Sequence, residues 1–304
     1  MRGGMKRWLA VLLAVVTVPV LTGSAGASGD PHPLSILVLG DSYSSGNGAG
    51  AYRGPASCRR STANYARQFE RLVEAAPGGV PTTTQTVACS GAVTADVLRP
   101  HGARPAQLSA VDGDDDIVFL TIGGNDIGFG AIVGSCLIVL TRNADACQAT
   151  LATAERMVAD GTLQARLAKV LTAIRRKAGP AARIVVLGYP YLEGDATYTV
   201  PSTKRMLAPV QAGKRIRALS DAGDRLYGRL LASMPGTVYV PTTRTFAGHE
   251  LYAMRPNPAR WFVAPMTDAS FGQVDLWYHP DQAGHAAEAK ALFHDPKVPK
   301  QHQG

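Results

Sequence analysis

Short apolar runs recur along the chain, and each stops at glycine or a small polar residue. Residues 35–39, "SILVL", run straight into Gly-Asp-Ser and read as a buried strand. "TTTQTVAC" from Thr82 is rich in β-branched residues and reads as a second strand. "DIVFLTIGGND" is continuously apolar up to Gly123, "RIVVLGYP" ends in Gly-Tyr-Pro, and "GTVYVP" is a fifth strand. Between them the period changes. Tyr65, Phe69 and Leu72 stand at helical spacing, which predicts an amphipathic helix over 61–76, closed by Pro77-Gly78-Gly79. Residues 148–177 read as helix with a break at Gly161, 204–234 as a further helix, and 284–293 as a last, alanine-rich one. Strands that are apolar on both sides and alternate with helices predict a parallel sheet covered on both faces.

Such sheets hold ligands at the carboxyl ends of their strands. The polar punctuation falls there: "GDS" after the first strand, "CSG" after the second, "GGND" after the third. The longest aperiodic stretch, 242–278, carries Phe246, Tyr252, Trp261, Phe262, Phe271 and Trp277. A loop region of that length with that aromatic content reads as functional rather than disordered. Phe246, Trp261 and Trp277 are candidates for lining a substrate pocket.

The start of the chain has a different character. Arg2, Lys6 and Arg7 precede an apolar run over 8–21, and Ala25-Gly26-Ala27 has the small-x-small form of a cleavage site. This is the pattern of a secretory signal peptide over 1–27. The run is shorter than the roughly 20 residues a spanning helix needs. The remainder, 28–304, is expected to be one domain, secreted and monomeric, with no stable membrane insertion. The formal charge of +8 is spread along helix faces such as "IRRK" and "KRIR". No basic block with interleaved aromatics marks a nucleic-acid site. Cys58, Cys89, Cys136 and Cys147 are even in number, and with an export signal they predict two disulfides, three pairings being open.

Several chemistries fail on spacing. Gly46, Gly48 and Gly50 give G-x-G-x-G, not the dinucleotide spacing. Gly213-Lys214 is followed by Arg215, so no phosphate loop forms, and neither Gly-x-Ser-x-Gly nor His-Glu-x-x-His occurs. What remains suits acyl transfer, which needs a nucleophile, a base and donors aimed at the developing oxyanion. Ser42 is the candidate nucleophile. The Ser42 and Gly91 backbone N–H groups and the Asn125 side-chain amide are candidate oxyanion donors. His279, in "YHPDQAGH", is the candidate base. Asp41 reads as a structural residue that orients the loop. His249, His285, His101, His294, His32 and His302 lack a comparable setting. A non-catalytic flavodoxin-like binding module is the alternative of another class; it leaves Asn125 and His279 unexplained.

Taken together, "GDSYSSGNG", "ACSGAVTADVL", "TIGGND" and "HPDQAGH" resemble the four blocks of the SGNH or GDSL hydrolases, in order, from Ile36 to His285. The resemblance implies a three-layer α/β/α sandwich around a mostly parallel five-stranded sheet. It implies hydrolysis of esters, lipids included, without metal or cofactor, with acyl transfer to an alcohol or sugar as the variant activity. The cysteines resemble those of the secreted bacterial esterases and lipases of the family, which implies pairing of Cys58 with Cys89 and Cys136 with Cys147. One departure stands out. The usual last block is Asp-x-x-His, but Leu276 occupies the place three before His279 and Asp275 lies one step further. Either Asp275 reaches the ring through a bulge, or a backbone carbonyl near Leu276 orients it; the offset favours the carbonyl.

Overall fold

A computed structural model describes Met1 and residues 33–204, 208–267 and 272–302. The leader with its Ala27 cleavage point, His32 and Phe271 lie outside the described residues. In chain order the elements are β1 (Leu34–Gly40), α1 (Ser42–Ser45), a hairpin of β2 (Tyr52–Arg53) and β3 (Arg60–Ser61), α2 (Tyr65–Ala75), β4 (Thr82–Thr86) and α3 (Thr94–Leu98). There follow β5 (Ile117–Thr121), α4 (Phe129–Ile132), α5 (Ala144–Ala159), α6 (Thr162–Ala178), β6 (Arg183–Leu187), α7 (Ala212–Ala232), β7 (Thr237–Val240) and α8 (Gln282–His294).

The sheet runs β4-β1-β5-β6-β7, and every pairing in it is parallel. Alternate residues of β1, β5 and β6 feed opposite cores, which is why these strands read as unbroken apolar runs, whereas the edge strand β4 exposes Thr83 and Gln85. Ile36, Val38, Ile117, Phe119, Val185 and Leu187 meet Phe69 and Val73 of α2 and Leu292 of α8 on one face. Leu37, Leu39, Val118, Leu120, Ile184 and Val186 meet α6 and α7 on the other, through Leu167, Leu171, Ile174 and Leu230. Each such side chain, fully buried, contributes about 1.5–3 kcal/mol. The result is the three-layer α/β/α arrangement. The chain leaves β1 outward to β4 and returns across it to β5, so the strand order reverses at β1. Loops from β4 and β5 part there and open a crevice at the end of the central strand.

Two helices start later than the apolar period predicts. In 61–76 the helix begins at Tyr65, because the Asn64 side chain caps it by accepting from the Arg67 N–H at 2.9 Å. Ser61 instead pairs with Tyr52 in the hairpin. In 204–234 the helix begins at Ala212: Val200 and Val210 bridge each other, and Pro209 between them has no N–H to continue a helical ladder. The break at Gly161 is real, with φ of +81° between α5 and α6. The stretch 242–278 is irregular where described, apart from a 3₁₀ turn at Val274–Leu276.

Two disulfides close loops around this frame, Cys58–Cys89 and Cys136–Cys147. The first ties the hairpin after α1 to the end of β4, two residues before Gly91, and the Ser90 N–H donates to the Cys58 carbonyl beside it at 3.1 Å. Its sequence separation is 31. The double substitution Cys58→Ala/Cys89→Ala should lower the unfolding free energy in urea by roughly 3–4 kcal/mol, the chain-entropy value for a loop of this length. An unchanged midpoint would mean that the unfolded chain gains nothing from release of the loop.

Candidate active site

Gly40 ends β1 with φ of +118°, and a Cβ there would stand 2.2 Å from the Thr121 carbonyl oxygen, so only glycine lets the chain turn this close to β5. The turn is held on both sides. Gln107 accepts from the Gly40 N–H at 2.6 Å and donates to its carbonyl at 2.9 Å, while the Asp41 N–H donates to Thr121 O at 2.9 Å. Asp41 then caps α1, its Oδ1 accepting from the Tyr43 N–H at 3.0 Å. Ser42 is thereby placed at the mouth of the sheet in the first turn of a short helix, 5% exposed.

His279 reaches the same point from the far end of the chain. Its Nε2 lies 2.7 Å from Ser42 Oγ, and its Nδ1 lies 3.1 Å from the Trp277 carbonyl oxygen. A carbonyl only accepts, so Nδ1 carries the proton and Nε2 presents its lone pair to the serine hydroxyl. The loop that carries the ring is clamped. Tyr278 has φ of +62°, its N–H donates to Val263 O at 3.1 Å, and the Val263 N–H donates to His279 O at 2.9 Å. The Tyr43 hydroxyl donates to the Tyr278 carbonyl at 2.7 Å, which ties the serine's helix to the histidine's loop. Burial lowers the His279 pKa to about 4, against hydrogen bonds to the Leu276 and Trp277 carbonyls that raise it.

The Asp275 carboxylate is turned elsewhere. It forms an ion pair with Arg59 at 2.6 Å, and its side chain is 45% exposed. Leu276 is buried. The group facing Nδ1 is the main-chain carbonyl of Trp277, one residue beyond Leu276.

Gly91 follows β4 with φ of +77°, and a Cβ there would meet nothing within 4 Å. Within the protein the demand for glycine is therefore one of backbone conformation, and the space beside it is open. Asn125 follows β5, and its Nδ2 donates to the Ala92 carbonyl at 2.9 Å, which fixes the amide beside the Gly91 turn. Nδ2 has a second hydrogen to offer.

Two residues without an expected role link these parts. Tyr189, after β6, donates its hydroxyl to Asp41 Oδ2 at 2.5 Å and accepts from the Gly124 N–H at 2.9 Å, so one oxygen bridges the residues before Ser42 and before Asn125. Asn47 donates through Nδ2 to Ser90 Oγ at 3.1 Å and to the Asp275 carbonyl at 3.0 Å, joining the loops that hold Ser42, Gly91 and His279. The only mark of either in the sequence is position: Tyr189 in the Gly-Tyr-Pro that ends a strand, Asn47 inside the first block. Burial pushes the Asp41 carboxyl up to about 7, even against the hydrogen bond from Tyr189.

An apolar cavity of about 70 Å³ begins at Gly124, Phe129 and Tyr189 and continues to Ile127, Leu163 and Leu219. Phe129 also faces the His279 ring, centroids 5.6 Å apart. Phe246, Trp261 and Trp277 are not among its lining residues. Phe246 is fully buried against Trp261 and Phe262, Trp261 stacks on His249 at 3.5 Å, and Trp277 is buried in the same loop core; packing under the long loop takes all three. Among the described residues, other histidines are paired with acidic groups of their own. His285 pairs with Glu288 in α8 at 2.9 Å, His101 with Asp96 at 2.8 Å and His302 with Asp116 at 2.6 Å. Among the described residues no group of His, Cys, Asp and Glu is arranged to hold a metal ion.

The model of the GDSL-like lipase/acylhydrolase family matches residues 38–287. A lipase from Streptomyces rimosus is 35% identical over 287 residues, covering 92% of this chain and 94% of that one. Among solved structures, the extracellular lipase of Streptomyces rimosus superposes with a TM-score of 0.66 at 33% identity, covering 85% of this chain and 98% of its own. Phospholipase A1 from Streptomyces albidoflavus NA297 superposes with the same TM-score at 30% identity, covering 86% and 98%.

The depressed pKa of His279 has a direct signature. Followed by NMR of its ring protons, the imidazole should titrate with a midpoint near pH 4 and stay neutral through pH 7. A midpoint at the ordinary value of about 6.5 would mean that the ring is solvated rather than enclosed.

Proposed function

The chain belongs to the GDSL-like lipase/acylhydrolase family and is a carboxylic ester hydrolase; on that premise we propose that it works through an acyl-enzyme on Ser42, with His279 as its base. The observation that carries this reading is the 2.7 Å contact between His279 Nε2 and Ser42 Oγ, with the Nδ1 proton engaged by the Trp277 carbonyl. Ser42 Oγ attacks the ester carbonyl while Nε2 takes its proton. The carbonyl oxygen becomes an oxyanion and receives hydrogen bonds from the Ser42 N–H, the Gly91 N–H and the free hydrogen of Asn125 Nδ2. A donor of this kind is worth roughly 2.7–4 kcal/mol in the transition state. The imidazolium returns the proton to the leaving alkoxide, and the alcohol departs. Water, deprotonated by the same ring, then attacks the acyl-enzyme, and the acid leaves as Ser42 regains its proton.

The enclosure that lowers the His279 pKa keeps Nε2 available well below neutrality. The Trp277 carbonyl orients the ring and accepts from it in both protonation states, in place of a carboxylate. The substrate is an ester with an apolar acyl group, lipid esters among them, in keeping with the lipase and phospholipase names of the relatives. The acyl chain enters the cavity at Phe129, Gly124 and Tyr189. Residues 1–27 direct export and are removed after Ala27. Two disulfides and an extracellular relative support a secreted protein.

Ser42→Ala should abolish hydrolysis of p-nitrophenyl esters, a loss of roughly 10⁶ by the scale of a studied serine hydrolase, with thermal unfolding nearly unchanged. A fluorophosphonate should label Ser42; labelling of another serine with Ser42 unmodified refutes the assignment. Asp275→Asn separates two ways of orienting the base. Turnover should fall less than tenfold, whereas a triad aspartate would cost about 10⁴. A loss of three or more orders of magnitude in a folded variant would make Asp275 the acid and the carbonyl reading wrong.

A further inference from the structure

Past Met1, the large apolar side chains that stand exposed among the described residues are Val139, Leu140, Met254, Met266 and Val274. Single exposed apolar residues scattered over a surface mean little; confined to one side, they mark a site of interaction. Val139 and Leu140 lie in the connection from β5 to α5 and the other three in the segment after β7; Val139, Met254 and Met266 line one groove, with Leu140 next to Val139 in the same turn. Val139 and Leu140 follow the turn held by Cys136–Cys147. The Thr141 and Arg142 N–H groups both return to the Ile138 carbonyl, at 3.0 and 2.8 Å, so the pair is presented by a closed turn. Met254 meets that turn through Arg142, whose Nη1 lies 3.0 Å from its sulfur. Met266 takes φ of +56°, a left-handed conformation unfavourable for its side chain.

A groove of about 370 Å³ lies between these loops, lined by Val139, Met254 and Met266 with Arg255 and Arg260, and it reaches Tyr278, the neighbour of His279. Arg255 is exposed and stacks on Tyr252 at 3.9 Å. Among the described residues the acidic groups nearby are engaged: Asp195 faces Arg255, Asp145 is paired with Lys204 at 2.6 Å, Glu193 accepts from the Ala253 N–H at 2.8 Å, and Glu250, buried, accepts from the Gly248 N–H at 2.8 Å. Apolar side chains that dip below a headgroup layer, ringed by guanidinium groups that pair with phosphate, are what a lipid–water interface selects. A guanidinium also matches phosphate geometry with two parallel hydrogen bonds.

We propose that this surface is a docking face for phospholipid aggregates with anionic headgroups, in which Leu140 and Met254 enter the interface and Arg142, Arg255 and Arg260 hold the headgroups. Docked so, the mouth beside Ser42 faces the lipid, and an ester need not cross water to reach it. The delivery step rests on the reading of Ser42 as the nucleophile; the docking itself does not.

The test uses Ser42→Ala protein, which leaves the lipid uncleaved, and vesicles of phosphatidylcholine with or without phosphatidylglycerol. The protein should sediment with the mixed vesicles at least about tenfold more strongly than with phosphatidylcholine alone, and raised salt should weaken it. Adding Leu140→Asp/Met254→Asp should weaken binding about tenfold or more, and Arg255→Glu should weaken it on anionic vesicles alone. In protein with Ser42 intact, the Leu140→Asp/Met254→Asp pair should leave hydrolysis of a water-soluble short-chain ester within about twofold, since both side chains lie outside the reacting groups and their exposed positions bear little on folding. Three results would overturn the proposal: no sedimentation with either vesicle, binding indifferent to the double substitution, or a dimer in lipid-free ultracentrifugation that the double substitution dissolves. Loss of soluble-ester turnover in the unmodified protein, with vesicle binding intact, would instead strike the hydrolytic reading.

Discussion

Asp41 brings a carboxyl group to the end of β1 with 1% of its surface exposed, beside the serine on which the site is centred. A polar group so placed is costly unless its lone pairs are engaged. The Tyr43 N–H and the Tyr189 hydroxyl engage both oxygens, and hydrogen bonds to a charged group contribute about 1.5–3 kcal/mol each. Satisfying this carboxyl does most of the positioning in the crevice. The bond to Tyr43 sets the first turn of α1, and the rest of Tyr43 reaches the Tyr278 carbonyl and so the histidine loop. The bond to Tyr189 sets a hydroxyl that also receives the Gly124 N–H. Three segments distant in sequence are thus referred to one buried group.

The topology makes this economical. β1 lies between β4 and β5, so the two loops that approach Ser42 come from its immediate neighbours, and their separation is set by sheet geometry. Asn125 closes the gap by donating to Ala92 across the end of β1. Asn47 and the Cys58–Cys89 bond secure the same loops from the outer side. The histidine comes from a segment that belongs to no strand, and it depends correspondingly more on side chains and backbone bonds for its place.

What the sequence made legible follows from this division. The strands were readable because both faces are buried, so Ile36 to Leu39 and Ile117 to Leu120 carry no polar interruption until the site begins. Residues at strand ends, Ser42, Gly91 and Asn125, were readable for the same reason. Helix starts were harder: Asn64 caps α2, but Ser61 and Thr62 just before it are equally good caps, and only the hairpin pairing of Ser61 decides. Tyr189, Asn47 and Gln107 could not be singled out, because much of what they bind is main chain, and a backbone N–H or carbonyl leaves no trace in residue type. The aromatic loop is ambiguous for a related reason. Phe246 and Trp277 have the composition of a ligand pocket, but an irregular segment of that length needs a core of its own, and they form it. The apolar cavity instead drew on helices and loops whose residues carry ordinary core periodicity.

The carbonyl of Trp277 has a vulnerability unlike that of a side chain. No substitution at position 277 deletes it, since every residue carries one, and the place three before His279 is left open to a residue such as Leu276. Its direction, however, depends on Tyr278 in a left-handed conformation, on the pairing with Val263 and on the Tyr43 hydroxyl. The side chains that set it flank the two groups themselves: Tyr43 follows Ser42, its ring 5.2 Å from that of His279, and Tyr278 precedes His279. Where a main-chain carbonyl faces the histidine, the residue types to compare among relatives are those that support the main chain, here a tyrosine pair, rather than an acid three places before the ring.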